Sequence, residues 1–192
     1  VNRLDLVVGP NGAGKSTFVE LTLAPLLRGS VFVNADEIAR QRWPEDAESH
    51  AYDAAKIAAD TRSTLVERRL SFIAETVFSH PSKLELVAAA KVADYTVVLH
   101  VLMIPEDLAV ERVAHRVAAG GHAVPPTKIR ERHRRLWSVV VDAAPMCDGV
   151  TFYDGSGIRG PRIVAQISGA DVIGSPSWPE WAPQQLTSRW PG

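Results

Sequence analysis

The chain has 192 residues, 46% hydrophobic and 22% charged, with a formal net charge of −1; this suits one globular domain with a sizeable core and excludes a whole-chain attraction to nucleic acid or anionic membrane. Its one cysteine, Cys147, excludes an intrachain disulfide and fits a reducing compartment. No apolar run approaches the ~20 residues of a membrane helix, and the first one, residues 4–8, is too short for a secretory leader and contains Asp5, so the expectation is a cytoplasmic protein with no membrane partner.

In chain order, LDLVV (residues 4–8) reads as a buried strand ending at glycine. Residues 15–23 have helical spacing, with Phe18, Val19, Thr22 and Leu23 on one face and Pro25 ending or redirecting the helix. A second strand covers residues 31–34 and leads into a helix, and a long Ala-rich helix covers 47–69 with Tyr52, Ile57, Leu65 and Val66 facing inward. SFIAET is a third strand; Pro81 opens a helix ending near Val92. YTVVLHVLM (95–103) is the strongest strand, followed by helices over 106–119 and about 126–141 around GGHAVPP. A fifth strand covers 149–154, and residues 160–168 read as a last short helix. The domain is expected to span 1–168, with a tail, 169–192, that carries three of the five tryptophans. Those tryptophans either strap the tail to the domain or contact a partner. Strands alternating with helices imply a three-layer α/β fold: a parallel sheet of about five strands, helices on both faces and ligands beyond the carboxyl ends of the strands.

GPNGAGKST (residues 9–17) fits G-x-x-x-x-G-K-[ST] between a strand and a helix, the context a phosphate loop requires. Gly9, Pro10, Asn11, Gly12, Ala13, Gly14, Lys15, Ser16 and Thr17 are therefore assigned to binding ATP or GTP. Backbone N–H groups and a helix N-terminus cradle the phosphates. Lys15 spans the β- and γ-phosphates and Ser16 ligates Mg²⁺. This spelling of the loop is common in transport ATPases, yet the chain has no LSGGQ-like stretch and no apolar strand ending in Asp-Glu; the absence of N-K-x-D disfavours a guanine-specific switch.

Asp36, just past the second strand, is either a general base for an attacking hydroxyl or the cap of the helix that follows. Glu75 either orients a hydroxyl, reaches Mg²⁺ through water, starts a helix or serves as a salt-bridge partner. Thr76 and Ser79 either bind substrate or cap. From Arg112 to Arg135 there are seven Lys/Arg against one acid, Glu131. Arg112 and Arg116 share one helix face and Arg132 and Arg135 another, giving a basic lid over about 112–135 whose guanidinium groups suit phosphoryl oxygens. A solvated charged face is the alternative. With only Trp137 nearby, a single-strand stacking surface is disfavoured, and with it nucleic acid as a partner.

GPNGAGKST, FVNADEIA, ET after the third strand, ERVAHRVAAGGHAVP and IRERHRR together resemble the zeta toxin family, over about residues 4–154. The resemblance implies a nucleotide-kinase-like P-loop fold and ATP- and Mg²⁺-dependent phosphorylation of UDP-N-acetylglucosamine on its sugar 3′-hydroxyl. It also implies a cognate antitoxin partner. It makes Asp36 the general base, places Glu75 and Thr76 along the sugar-nucleotide pocket, and makes Arg116, Arg132 and Arg135 the lid residues. His133 stands where the family often has Tyr, Leu136 where it often has Ser, and Ser71 where it usually has Gly. Kinases of the same architecture act on nucleosides, antibiotics, dinucleotide cofactors or nucleic-acid ends, and a non-kinase nucleotide-binding module is a further alternative.

Overall fold

The computed structural model describes residues 1–121 and 123–192; the histidine of the GGH motif lies outside the described residues. A seven-stranded sheet has the order β2-β3-β1-β4-β5-β6-β7. β1 (Arg3–Val8), β2 (Val31–Asn34), β3 (Phe72–Thr76), β4 (Thr96–Met103) and β5 (Gly149–Asp154) are parallel. β6 (Arg162–Ser168) and β7 (Asp171–Val172) extend the sheet antiparallel.

The central strands are buried on both faces, so their alternate residues feed two cores. Leu4, Leu6 and Val8 of β1 enter one core with Ala58 and Leu65 of α4 (Ala51–Glu67), Val87 of α5 (Lys83–Val92) and Leu136 of α7 (Pro126–Ala143). Val7 enters the other with Phe18 of α1 (Lys15–Phe18), Val19 and Leu23 of a π-helical turn (Val19–Leu23), and Ala109 and Val113 of α6 (Glu106–Ala118). These are the three layers expected of parallel crossovers. Pro25 redirects rather than stops the first helix: the π turn runs on into α2 (Ala24–Leu26), the wider turn relieving the missing N–H. Thr22 is exposed.

Three expectations are corrected. Residues 162–168 form a strand, not a helix. The register with β5 shifts between Phe152 and Tyr153, leaving Val164 unpaired between Ala165 and Ile163. This bulge buries Val164 and Ala165 in succession, with Ile167, and a bulge breaks the period-two pattern that identifies a strand. The parallel set has the expected five strands, but β6 and β7 make the sheet seven-stranded. In α4, Tyr52 points outward at 82% exposure; the inward face is Ala54, Ala58, Arg62, Leu65 and Val66.

The tail is strapped down. Ser177 N–H donates to Val164 O at 2.7 Å, and Trp178 Nε1–H donates to Trp190 O at 2.8 Å. Both indoles pack on Phe152, with ring centroids 5.2 and 5.4 Å away. Leu186 of α8 (Gln184–Arg189) is fully buried. Cys147 is buried too, which pushes its thiol up to about 12; it is protonated and inert at neutral pH. Among the described residues no helix is long and apolar enough to cross a membrane.

Candidate active site

Because β1, β2 and β3 run parallel and in register, their carboxyl ends deliver three segments to one edge. Asn34 pairs with Glu75 across β2 and β3, and Val8 with Thr76 across β1 and β3. The phosphate loop follows β1 and α3 (Ala35–Arg42) follows β2. A side chain at Gly9 would place its Cβ 2.3 Å from Leu102 O, so only glycine lets the loop leave β1 this close to β4.

Beyond this edge lies a cavity of about 480 Å³. Its lining includes Asn11, Gly12, Lys15 and Ser16 from the loop, Asn34 and Asp36 from β2 and α3, and Glu75, Thr76 and Ser79 from the end of β3 and the segment after it. Arg116 of α6 and Lys128 and Arg132 of α7 close it from the far side. Of the expected site residues, the fold thus brings Lys15, Ser16, Asp36, Glu75, Thr76, Ser79, Arg116 and Arg132 together.

Asp36 is not the helix cap. Asn34 is: its Oδ1 accepts from Asp36 N–H at 2.8 Å and from Glu37 N–H at 3.3 Å. Asp36 sits one residue inside the helix with its carboxylate on the cavity wall. Asn34, which the FVNADEIA motif contains but to which the sequence assigns no role, is buried and holds two elements at once, since its Nδ2–H donates to Glu75 Oε2 at 2.7 Å. An Asn two residues before an acid at a strand–helix junction is the signal that identifies it.

Glu75 faces the phosphate loop as well as the cavity. Its Oε2 also accepts from Ser16 Oγ–H at 2.9 Å, and its Oε1 lies 4.0 Å from Lys15 Nζ. Lys15 Nζ donates to Pro10 O at 3.0 Å. Burial lowers the Lys15 pKa against the opposing pull of Glu75 and Asp36, with Arg116 and Arg132 adding to the lowering. Burial raises the Glu75 pKa despite Lys15 and the bonds from Ser16 and Asn34. An ammonium and a hydroxyl–carboxylate pair at the start of a helix are the donor set that suits a nucleotide's phosphates and their Mg²⁺. Asn11 Oδ1 beside them is buried without a hydrogen-bond partner, a polar atom left over in the loop's own chemistry.

The raised carboxyl has a consequence for stability. Between the ordinary carboxylate pKa and its own higher value, Glu75 binds more proton folded than unfolded, so the ligand-free protein loses stability as pH rises through that window. Glu75→Gln keeps acceptors for Ser16 and Asn34 and removes the charge. The variant should melt at or above wild type at pH 7, the gap closing toward about pH 4 where carboxylates protonate. Its Mg²⁺-dependent nucleotide affinity should fall. Scanning calorimetry across pH, with and without Mg·ATP, checks both.

Ala13 is buried in the core and Thr17 exposed, so these two loop positions serve packing and solvent rather than the cavity. Thr76 Oγ1 accepts from Phe78 N–H at 3.4 Å, and Phe78 is fully buried with φ 65°, a left-handed conformation costly for a bulky residue. The segment after β3 is thereby pinned at the cavity wall.

The basic segment divides by task. Arg112 donates to the carbonyls of Gly12, Gly155 and Ser156 at 3.4, 3.0 and 3.2 Å, buttressing the phosphate loop. Glu106 takes Arg130 at 2.8 Å and Arg134 at 3.1 Å, which clasps α7 to α6. Arg116 and Arg132 line the cavity; Arg135 does not. It is exposed, because α7 runs back from the carboxyl edge and each residue adds about 1.5 Å of retreat. Lys128, one turn before Arg132, is the cavity residue that the i,i+3 reading missed.

The glycines between the two helices form a cap. Gly120 N–H donates to Val117 O at 2.9 Å and Gly121 N–H to Arg116 O at 2.8 Å, with Gly120 at φ 85°. These are the two bonds of a Schellman ending. A Cβ on Gly121 would come 2.6 Å from Arg116 Cγ, so the glycines make room for the Arg116 side chain. Pro126 then supplies the first residue of α7.

The three departures from the family pattern lie off the cavity. Ser71 Oγ accepts from Arg3 N–H at 3.0 Å, and Leu136 is fully buried. His133 Nε2–H donates to Ile104 O at 2.9 Å, leaving Nδ1 to accept from Trp137 Nε1–H at 3.4 Å.

Among solved structures, the chain is similar to the AvrRxo1-ORF1:-ORF2 complex crystallised with ATP, at TM-score 0.68 and 15% identity over 90% of this chain, and it spans 60% of that chain's length. It is similar to a chain from the PezAT toxin–antitoxin system of Streptococcus pneumoniae, at TM-score 0.66 and 15% identity, covering 98% of this chain and 83% of that one. A chain of the Pnkp1/Rnl/Hen1 RNA repair complex matches at TM-score 0.56 and 21% identity, over 73% of this chain and 46% of that one. No curated protein matches at a significant level. These likenesses carry the fold alone, a mostly parallel α/β sheet with helices on both faces. The family model for Zeta toxin matches residues 3–158, and the chain belongs to the Zeta toxin family.

Proposed function

We propose that the protein is an ATP-dependent kinase that phosphorylates the sugar 3′-hydroxyl of UDP-N-acetylglucosamine and acts as the toxin of a toxin–antitoxin pair. The supporting observation is one cavity holding the Lys15–Ser16 phosphate loop, the Asp36 carboxylate and the Arg116 and Arg132 guanidinium groups. A switch or a motor needs the first of these; transfer to a second substrate needs all three.

Lys15 and the loop N–H groups hold the β- and γ-phosphates, and Ser16, backed by Glu75, holds Mg²⁺, which when bound neutralises phosphate charge. Asp36 orients the acceptor hydroxyl and takes its proton as the hydroxyl oxygen bonds to the γ-phosphorus and the bond to ADP breaks. Arg116 and Arg132 meet the equatorial oxygens of the transferring group. The cavity volume of about 480 Å³ suits small-molecule substrates. The setting is cytoplasmic. An antitoxin partner is proposed on family membership, in line with the toxin–antitoxin title of the PezAT structure.

Radiolabelled ATP offered with UDP-N-acetylglucosamine, nucleosides and a 5′-hydroxyl oligonucleotide should label the sugar nucleotide. Label on another acceptor moves the substrate assignment, and ADP release without labelled product defeats the kinase reading.

A further inference from the structure

The cavity has a second cationic pole that the phosphate loop does not use. Arg62, on the inward face of α4, is only 6% exposed yet lines the cavity. Lys83, the first residue of α5, lines the same wall. The two are close enough that Arg62 disfavours the charged form of Lys83, after burial as the larger cause, and burial alone lowers the Arg62 pKa. Among the described residues no hydrogen bond or ion pair engages either side chain's cationic group.

That arrangement is costly. A buried guanidinium is stable when paired, and an unpaired one carries an uncompensated desolvation penalty. Placing an ammonium beside it adds repulsion. Other core-facing residues of α4 are small or aliphatic, namely Ala54, Ala58, Leu65 and Val66, so position 62 stands apart within its own helix. Two neighbouring cations with no acid in ion-pair contact, opening into a polar cavity, match the requirements of an oxyanion. Arg116 and Arg132 are the arginines that act most strongly on Lys15, which leaves Arg62 and Lys83 to a different part of the cavity wall.

We propose that Arg62 and Lys83 form a second oxyanion site, which binds an anionic group of the acceptor away from the transferring phosphate. The inference rests on the kinase reading for the word acceptor, though not for the site itself. It restricts the acceptor to molecules carrying a phosphate, a phosphoanhydride or a carboxylate in addition to the reacting hydroxyl. A diphosphate bridging a sugar and a nucleoside satisfies this; a neutral nucleoside or a free sugar does not. Arg62 and Lys83 then decide which hydroxyl compounds are held long enough to react.

The test fills the phosphate loop first. With the protein saturated by Mg²⁺ and a non-hydrolysable ATP analogue, thermal stabilisation is measured with sodium sulfate against sodium chloride at equal ionic strength, and with UDP, UMP and uridine. Wild type should be stabilised by sulfate, UMP and UDP and not by uridine or chloride. Arg62→Gln should weaken UDP binding tenfold or more, Arg62→Lys and Lys83→Gln less, with affinity for the ATP analogue within twofold of wild type. Without ligand, Arg62→Gln should melt no lower than wild type, since it removes an unpaired charge; a lower melting point makes Arg62 a structural residue and overturns the proposal. The proposal also falls if wild type shows no anion-specific stabilisation, or if Arg62→Gln keeps the anion-specific stabilisation of wild type. Sulfate stabilisation lost in Arg62→Gln, with UDP no better than uridine, keeps the site and removes the sugar-nucleotide reading.

Discussion

Asp36→Asn should cut phosphoryl transfer by about 10²–10⁴-fold, the usual contribution of a positioned general base. The fold makes this substitution clean. Asn34, not Asp36, caps α3, and it does so through the backbone N–H groups of residues 36 and 37; those bonds survive when the side chain changes. Asparagine also keeps the size of aspartate, so melting temperature and affinity for a non-hydrolysable ATP analogue should stay near wild type. Single-turnover transfer at saturating Mg·ATP reads the chemical step alone. Transfer within a few-fold of wild type would remove Asp36 from the mechanism.

Arg132→Ala and Arg116→Ala should each lower turnover by on the order of 10³, about 4 kcal/mol of transition-state stabilisation. Both side chains border the cavity and both act electrostatically on Lys15 at the opposite wall. Arg135→Ala, one turn beyond the cavity edge on an exposed face, should leave turnover unchanged and serves as the control for general loss of positive charge. Arg132→Lys separates charge from shape: an ammonium keeps the charge and loses the planar pair of donors, so only partial recovery is expected. If Arg132→Ala and Arg135→Ala behave alike, the lid arginines do not reach the transferring group.

Much of the site was legible in the chain because local rules suffice there. The phosphate loop is a contiguous motif with an obligatory strand before it and helix after it, and both are present. Asp36 and Glu75 follow strands whose parallel arrangement can be inferred from β–α alternation, so their convergence follows from topology. The strand at 162–168 was not legible, because its bulge places Val164 and Ala165 on the buried side in succession. Tyr52 misled in a different way: an aromatic at helical spacing reads as core, whereas α4 packs through alanines that let it approach α3 and β2 closely. Arg135 satisfied the spacing rule for sharing a face with Arg132, but a spacing rule carries no information on how far along α7 the cavity extends.

The sequence by itself determined the phosphate loop, the parallel α/β order and the candidate base, since each depends on residues adjacent in the chain or on the period of a single element. Only the tertiary structure decided that Asn34 caps α3 while gripping Glu75, that Gly120 and Gly121 cap α6 and make room for Arg116, and that a buried arginine of α4 meets a lysine of α5 at the cavity wall. The physical reason is the same in each case. Desolvation, pairing and steric room are set by neighbours brought from distant parts of the chain, and no local pattern encodes which neighbours those are.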